Sequence, residues 1–406
     1  MAADARRALL LVYAAVALAG VAAGLSRVAL AKYLQDDLAA GAVTVSMLTT
    51  LFMAPRAVSA LAGGVASDAL GDAVWRLLIG PPMLLIAFIV YGISYTSSIP
   101  AIMALNALWG LLSGLVWPAT QVATSLAAGR ERSGTAMSVY FAVAFLGMTA
   151  GQGLYGLLSL DNPGLLRVSS LFFAASGVVL AAASSRLPRG LLRGSGRRRG
   201  MLRGVVEAAR MGAGWILLAA FAAGYLAGLL REFLYYYLGD RLGYTREQLG
   251  STLFTAGLAS FAIGLSVGPL ADRLGVAPVL SSILLLGALG SGLLAVATGE
   301  ALVAAGIALA QAASRSSLPL TRNAALYPGA AATLVGASNT LSNLGQMVSP
   351  VVAGVLYEGL RGRSLGPLPG EASPFLSASL LLALVASLRL CGCGRGGAAR
   401  GRTVEG

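Results

Sequence analysis

Residues 23–38 of this chain recur at 227–242 with nine of sixteen positions identical and no gap. Ala23-Gly24-Leu25-Ser26-Arg27 returns as Ala227-Gly228-Leu229-Leu230-Arg231, and Tyr33-Leu34 returns as Tyr237-Leu238. At the same offset of 204, Gly64-x-x-x-Asp68-x-Leu70-Gly71 returns as Gly268-x-x-x-Asp272-Arg273-Leu274-Gly275. Between these islands only the length is kept. A duplication that preserves length, a few glycines and a few charges is a duplicated structural unit. A period of this size is too long for a solenoid, so the chain divides into two homologous halves.

Composition places those halves in a bilayer. Hydrophobic residues make up 57% of the chain and charged residues 11%, with a mean hydropathy of +0.79, whereas soluble domains carry roughly 25% charge. A membrane-crossing helix needs about 20 apolar residues. Runs of that kind are predicted at 8–31, 43–65, 77–96, 100–126, 134–158 and 165–186, then at 213–238, 248–270, 277–298, 301–326, 333–357 and 373–390. The fold class is therefore all-α integral membrane, with twelve transmembrane helices in two pseudo-symmetric six-helix bundles. Residues 1–186 form the first half and 213–390 the second. A basic linker, 187–212, joins them, and 391–406 form a tail.

The basic residues orient the chain. With twelve spans, both termini, the central linker and the even-to-odd loops share one side, and nineteen of the 29 lysines and arginines fall there. Six face the other way: Lys32, Arg167, Arg241, Arg246, Arg361 and Arg363. Basic loops resist translocation, so both termini are expected in the cytoplasm of a cell-membrane protein. The first span ends like the seventh and is read as a retained span, not a cleaved signal. The formal charge of +13 is spread over membrane-flanking loops, which argues against a nucleic-acid partner.

The missing chemistry is equally informative. There is no histidine, Lys32 is the only lysine, and the two cysteines, Cys391 and Cys393, stand in the Gly/Arg tail. No phosphate loop of the Gly-x-x-x-x-Gly-Lys type exists, the commonest general base is absent, and two thiols do not complete a zinc site. No catalytic residue, metal or cofactor is expected, and the chain is not read as an enzyme.

Twelve spans in two six-span halves, with Gly-x-x-x-Asp-x-x-Gly after spans two and eight, resemble the major facilitator superfamily over nearly the whole chain. The second copy of that motif fits the family pattern well. The first has Ala69 where a basic residue is usual. The resemblance implies a conformational latch built from Gly64, Asp68, Gly71, Gly268, Asp272, Arg273 and Gly275. In it Asp68 meets the start of span eleven near Thr333, and Asp272 the start of span five near Ser133. Gly147-x-x-x-Gly151-Gln152-x-x-Tyr155-Gly156 and Gly345-x-x-x-Ser349-Pro350-x-x-Ala353-Gly354 resemble the span-five signature of drug:proton antiporters. Small residues at every fourth position also serve ordinary helix packing, the preferred reading.

Charges inside the spans carry the functional expectation, because they are costly there and face cavities. Arg27, Arg56, Arg231 and Arg315 are the candidate substrate-binding residues. Arg27 and Arg231 are repeat equivalents and resemble the phosphate-clamping pair of organophosphate:phosphate antiporters. They also stand near span ends, where snorkelling or pairing with Asp36 and Asp240 explains them equally. Arg56 has Ser260 as its repeat partner. Glu232 is the one acid well inside a span and the proton-coupling candidate. The reading is a monomeric secondary transporter of a small solute, an organic anion moved by exchange or with protons. Two alternatives stay open: a proton-coupled exporter of amphipathic compounds, and a non-cycling transporter-like sensor or lipid-handling scaffold.

Overall fold

A chain crossing hydrocarbon must satisfy its backbone internally, and a helix does so within one segment. The computed structural model describes residues 2–70, 77–129, 132–186, 214–324 and 331–390. Each expected span falls, in whole or in part, on a helix. Among the described residues nine helices are long and apolar enough to cross a membrane, and a bent pair makes a tenth.

The chain forms two compact units. The first combines the described part of Met1–Gly196 with Tyr235–Thr255, and the second takes the remaining described residues. In the first half of the sequence the helices are α1 (Ala2–Lys32), α2 (Ala42–Leu70), α3 (Pro81–Ile93), α4 (Ile99–Ala128), α5 (Ser133–Leu157) and α6 (Asn162–Arg186). A π-helical turn, Tyr33–Asp37, prolongs α1. Helix α1 packs against α4, α5 and α6, α2 against α4, and α3 against α4 and α6.

The second half contains α7 (Gly214–Leu229), α8 (Glu232–Asp240), α9 (Arg246–Leu274), α10 (Val276–Val296), α11 (Glu300–Ala324), α12 (Ala331–Gly359) and α13 (Ser373–Leu390). In the second unit α7 packs against α11, α12 and α13, and α10 against α11 and α13. These repeat the α1 and α3 pairings of the first unit. A two-residue hairpin, Ser364–Leu365 with Leu368–Pro369, lies between α12 and α13. Nothing in the hydropathy pattern announced it.

Close approach at small residues repeats as well. A Cβ at Gly20 or Gly24 would collide with the α5 backbone at Ala144 and Met148, and one at Gly147 or Gly151 with α1 carbonyls at Ala17 and Val21. In the second unit Gly224 meets Ser342, Gly228 meets Gln346 and Ser349, and Gly345 meets Phe221 and Tyr225. The small residues of both antiporter-like segments thus seat α5 on α1 and α12 on α7.

One expected span is not continuous. The sequence predicts a single helix over 213–238, but α7 and α8 bend by 47° at Leu230-Arg231. The Arg231 amide turns back to the Gly228 carbonyl at 3.4 Å, a three-residue step that tightens the last turn of α7. Helix α8 restarts with Glu232 in its first turn, where the helix dipole favours an acid.

Candidate functional site

In the first unit Arg27 is held by aromatic rings. It faces α2 and α4 and is only 6% exposed. Its guanidinium carbon lies 3.7 Å from the centroid of Phe52 and 4.0 Å from that of Trp109. Both rings thus sit within cation–π range of one planar cation. Its Nη1 donates to Asn106 Oδ1 at 3.3 Å, and Asn106 Nδ2 donates to the Leu48 carbonyl at 2.7 Å. Trp109 also meets Phe173 edge-on, with centroids 5.6 Å apart. The span-end alternative for Arg27 invoked Asp36, but Asp36 pairs instead with Lys32 at 2.8 Å.

Arg231, the repeat equivalent, is placed differently. It stands in the break between α7 and α8, with its Nε 3.5 Å from Glu232 Oε2. Glu232 is fully buried, whereas the Arg231 side chain is 23% exposed. The duplication therefore kept the residue type and changed its setting. Phe52 and Trp109 surround the first arginine; a carboxylate and a helix break accompany the second.

Arg56 and Arg315 form the less obvious relationship. Arg56 is half-buried on α2, with Nη1 3.7 Å from Met53 Sδ. Opposite it on α4 stands Gly114, where a Cβ would collide with the Arg56 carbonyl and Ser59 Oγ. One turn earlier a Cβ at Gly110 would collide with the Phe52 carbonyl. Helices α4 and α11 correspond at an offset of 201, which aligns their first residues, Ile99 and Glu300, and their internal prolines, Pro118 and Pro319. Gly110 and Gly114 then answer to Gln311 and Arg315, while Arg56 answers to Ser260. The arginine has changed helices: the Arg56 backbone passes Gly114 in one unit, and the Arg315 side chain reaches Ser260 in the other, its Nη1 3.4 Å from Ser260 Oγ.

This exchange has a steric consequence. Two glycines let α4 lie directly on α2, but glutamine and arginine do not permit the same approach of α11 to α9. Among the described residues the close α2–α4 packing is not repeated between α9 and α11. Gln311 is 3% exposed, and its Oε1 has no hydrogen-bond partner among the described residues. Arg315 is half-buried. The result is a polar strip, Ser260, Gln311 and Arg315, in the interior of the second unit. The sequence marked Arg315, but Gln311 became informative only through its alignment with Gly110.

The latch residues are only partly described. Gly64 and Asp68 lie on α2, and Gly71 falls outside the described residues, as do the linker 187–212, Cys391 and Cys393. Asp272 and Arg273 are exposed on the last turn of α9. Gly275 adopts φ 86°, ψ 148°, which ends α9 and opens α10; a side chain is disfavoured there. Gly268 does not mediate a tight contact, since a Cβ there meets nothing within 4 Å among the described residues.

The sequence profile of the Major Facilitator Superfamily matches residues 12–350, and the chain belongs to that family. Solved transporters share the fold. A point mutant of the nucleoside transporter NupG superposes with a TM-score of 0.77 at 11% identity, covering 95% of this chain and 99% of that one. A bacterial homologue of the human lysosomal transporter Spinster, inward-facing and unoccupied, gives a TM-score of 0.73 at 14% identity, covering 97% of each chain. No curated protein matches the chain in sequence. The protein is a multi-pass membrane protein and a secondary transporter of small-molecule solutes, not an enzyme.

Proposed function

We propose that the solute is a small organic anion, carried across the cell membrane by exchange or together with protons. The observation that carries this reading is the polar strip of the second unit. There Arg315 and Gln311 occupy positions that are close-packing glycines in the first copy. A guanidinium in the membrane interior is costly, and here the helix packing that glycine would have allowed is lost as well. A negatively charged solute group offsets that cost through charge-assisted hydrogen bonds. Arg315 is the principal anion contact of the second unit in this proposal, and Arg56 is the candidate of the first. Arg27 and Arg231 are secondary candidates, one enclosed by rings and the other engaged by a carboxylate.

A panel of small carboxylates and phosphate esters, scored by thermal stabilisation of purified protein, tests the reading, since a ligand that binds the folded state raises stability by mass action. Wild type should respond to members of the panel, and Arg315→Gln should lose the response while keeping its own ligand-free stability. Stabilisation by neutral or cationic compounds alone would overturn the anion proposal.

Glu232 supports a second reading, proton-coupled export of amphipathic compounds. A fully buried carboxylate beside Arg231, at a helix break, is suited to taking up and releasing a proton. Glu232→Gln should then abolish transport driven by a pH gradient while sparing exchange. Loss of both modes together would count against a coupling role.

Both termini are proposed to be cytoplasmic. With Cys391 and Cys393 replaced, single cysteines at Gly243 and Leu365 should react with impermeant reagents from outside intact cells, and one at Ser195 should not. Labelling at Ser195 from outside would reverse the topology.

A further inference from the structure

We infer that the first unit carries an anion-binding site of its own, formed by Lys32 and Arg246 at the end of α1 away from the N terminus. A cavity of about 280 Å³ lies there, lined by Lys32, Asp36, Tyr155, Thr245 and Arg246, among others. Every lining residue belongs to the first unit, because Tyr235–Thr255 is part of it.

The walls are built to hold two cations in place. Lys32, the only lysine in the chain, is 8% exposed and abuts Gly239, where a Cβ would strike its Nζ. Gln35 Oε1 and Asp36 Oδ1, each at 2.8 Å, accept two of its three donors. Arg246 stacks 5.1 Å from the Tyr155 ring centroid and donates to the Leu160 carbonyl and to Asn162 Oδ1. Asn162 is fixed in turn by its 2.7 Å donation to Asp37 Oδ2. These contacts, together with a side-chain hydrogen bond to Tyr155, fix the guanidinium at the cavity wall and use only part of its five donors.

The local backbone adds positive potential. Thr245 and Gln248 form a reciprocal cap, in which the Thr245 amide donates to Gln248 Oε1 at 3.0 Å and the Gln248 amide to Thr245 Oγ1 at 3.3 Å. The cap opens α9 at the cavity wall, where Thr245, Arg246 and Leu249 line the space and Glu247, in the first turn, offsets part of the positive end of that 29-residue helix. Among the lining residues two cations stand against one carboxylate, Asp36, which is itself about half exposed. The paired cations and the volume suit a small carboxylate or phosphate, while the Tyr155 hydroxyl is spent on Asn162 Oδ1 at 3.3 Å. This site is separate from the Arg56 and Arg315 positions, and its test does not depend on them.

A single lysine makes the test specific. Pyridoxal phosphate and pyridoxal carry the same aldehyde, and only the first carries an anion. Each is reacted with purified full-length protein, trapped with borohydride, and mapped by peptide mass spectrometry at Lys32 and at the N-terminal amine. Labelling at Lys32 should be about tenfold faster with pyridoxal phosphate than with pyridoxal, the effect of one charge-assisted hydrogen bond. The N-terminal amine serves as the internal reference and should show no such preference. Inorganic phosphate or acetate should protect Lys32, and whichever protects at lower concentration identifies the preferred class. Arg246→Gln should abolish the preference, whereas Arg246→Lys should keep part of it. Equal rates with the two aldehydes at Lys32, or no protection by either anion, would overturn the site; both readouts use wild type and hold even where a variant fails to fold.

Discussion

Arg315 reaches Ser260, the residue that occupies the repeat position of Arg56, at 3.4 Å. Both units therefore place a guanidinium beside the same register of their second helix, and they supply it from opposite partners. A duplicated protein can keep a charge at one place while moving the side chain that delivers it, provided the facing residue shrinks as its partner grows. Gly114 beside the Arg56 backbone and Ser260 beside the Arg315 guanidinium are consistent with that condition.

The exchange predicts a compensation. Ser260→Arg alone should crowd two arginines into one place and lower the melting temperature, in the range of about 1–3 kcal/mol for an overpacked interior. Adding Arg315→Gly rebuilds the first-unit arrangement and should recover most of the loss. Equal melting temperatures of the single and double variants would show that the two positions do not share a space.

The small-residue seams predict position-specific damage. Gly24→Ala places its Cβ into the Met148 carbonyl, and Gly228→Ala meets Ser349 Oγ and the Gln346 carbonyl. Each should destabilise by about 1–3 kcal/mol, because backbone cannot yield as a flexible side chain can. Gly92→Ala and Gly134→Ala, where a Cβ meets nothing within 4 Å among the described residues, should be nearly silent. Thermal unfolding of the four variants checks the contrast.

The repeat and the apolar runs made the architecture legible, because both are properties of the linear sequence. The Arg27 setting was not legible. Phe52 and Trp109 lie 25 and 82 positions away on two other helices, and nothing in their spacing announces a common cation. Arg231 misled for a related reason: nine identities in sixteen suggested equal roles, yet the neighbouring Glu232 and the break after Leu229 gave the second copy a different contact. Gln311 was hidden because α4 and α11 align at an offset of 201, three residues short of the repeat that α1 and α2 follow. Only the helix starts and the shared proline bring Gln311 into register with Gly110.

The latch proposal gives a conformational prediction. If Asp272 steadies the outward-facing contact of the family motif, Asp272→Asn should shift the population toward the inward-open state and lower the reactivity of single cysteines placed along α7 and α11 toward impermeant reagents added from outside. Asp68→Asn should act more weakly, since Ala69 replaces the basic residue that follows the aspartate in the second copy. Helix-terminus charge interactions of this kind are worth about 0.3–1 kcal/mol, enough for a change of up to about fivefold in conformer ratio. Identical cysteine reactivity in wild type and Asp272→Asn would remove the latch.

Arg27→Lys separates a span-end cation from a stacked one. A snorkelling arginine is replaced by lysine at little cost, because both side chains carry their charge to the interface on a flexible stem. A guanidinium held by Phe52, Trp109 and Asn106 is different. Lysine keeps the charge but loses the planar face that contacts the rings, and its ammonium is more strongly hydrated. Desolvated cation–π contacts are worth about 2 kcal/mol, so Arg27→Lys should lower stability by that order, and Arg27→Met by at least as much. The loss should be coupled to the rings: once Trp109→Leu has removed one wall, Arg27→Lys should cost measurably less than it does in wild type. Full additivity of the two substitutions in thermal unfolding would show that the stack contributes nothing. A silent Arg27→Lys would return Arg27 to the group of outer-end residues and leave Arg56 as the guanidinium of the first unit with a claim on the solute.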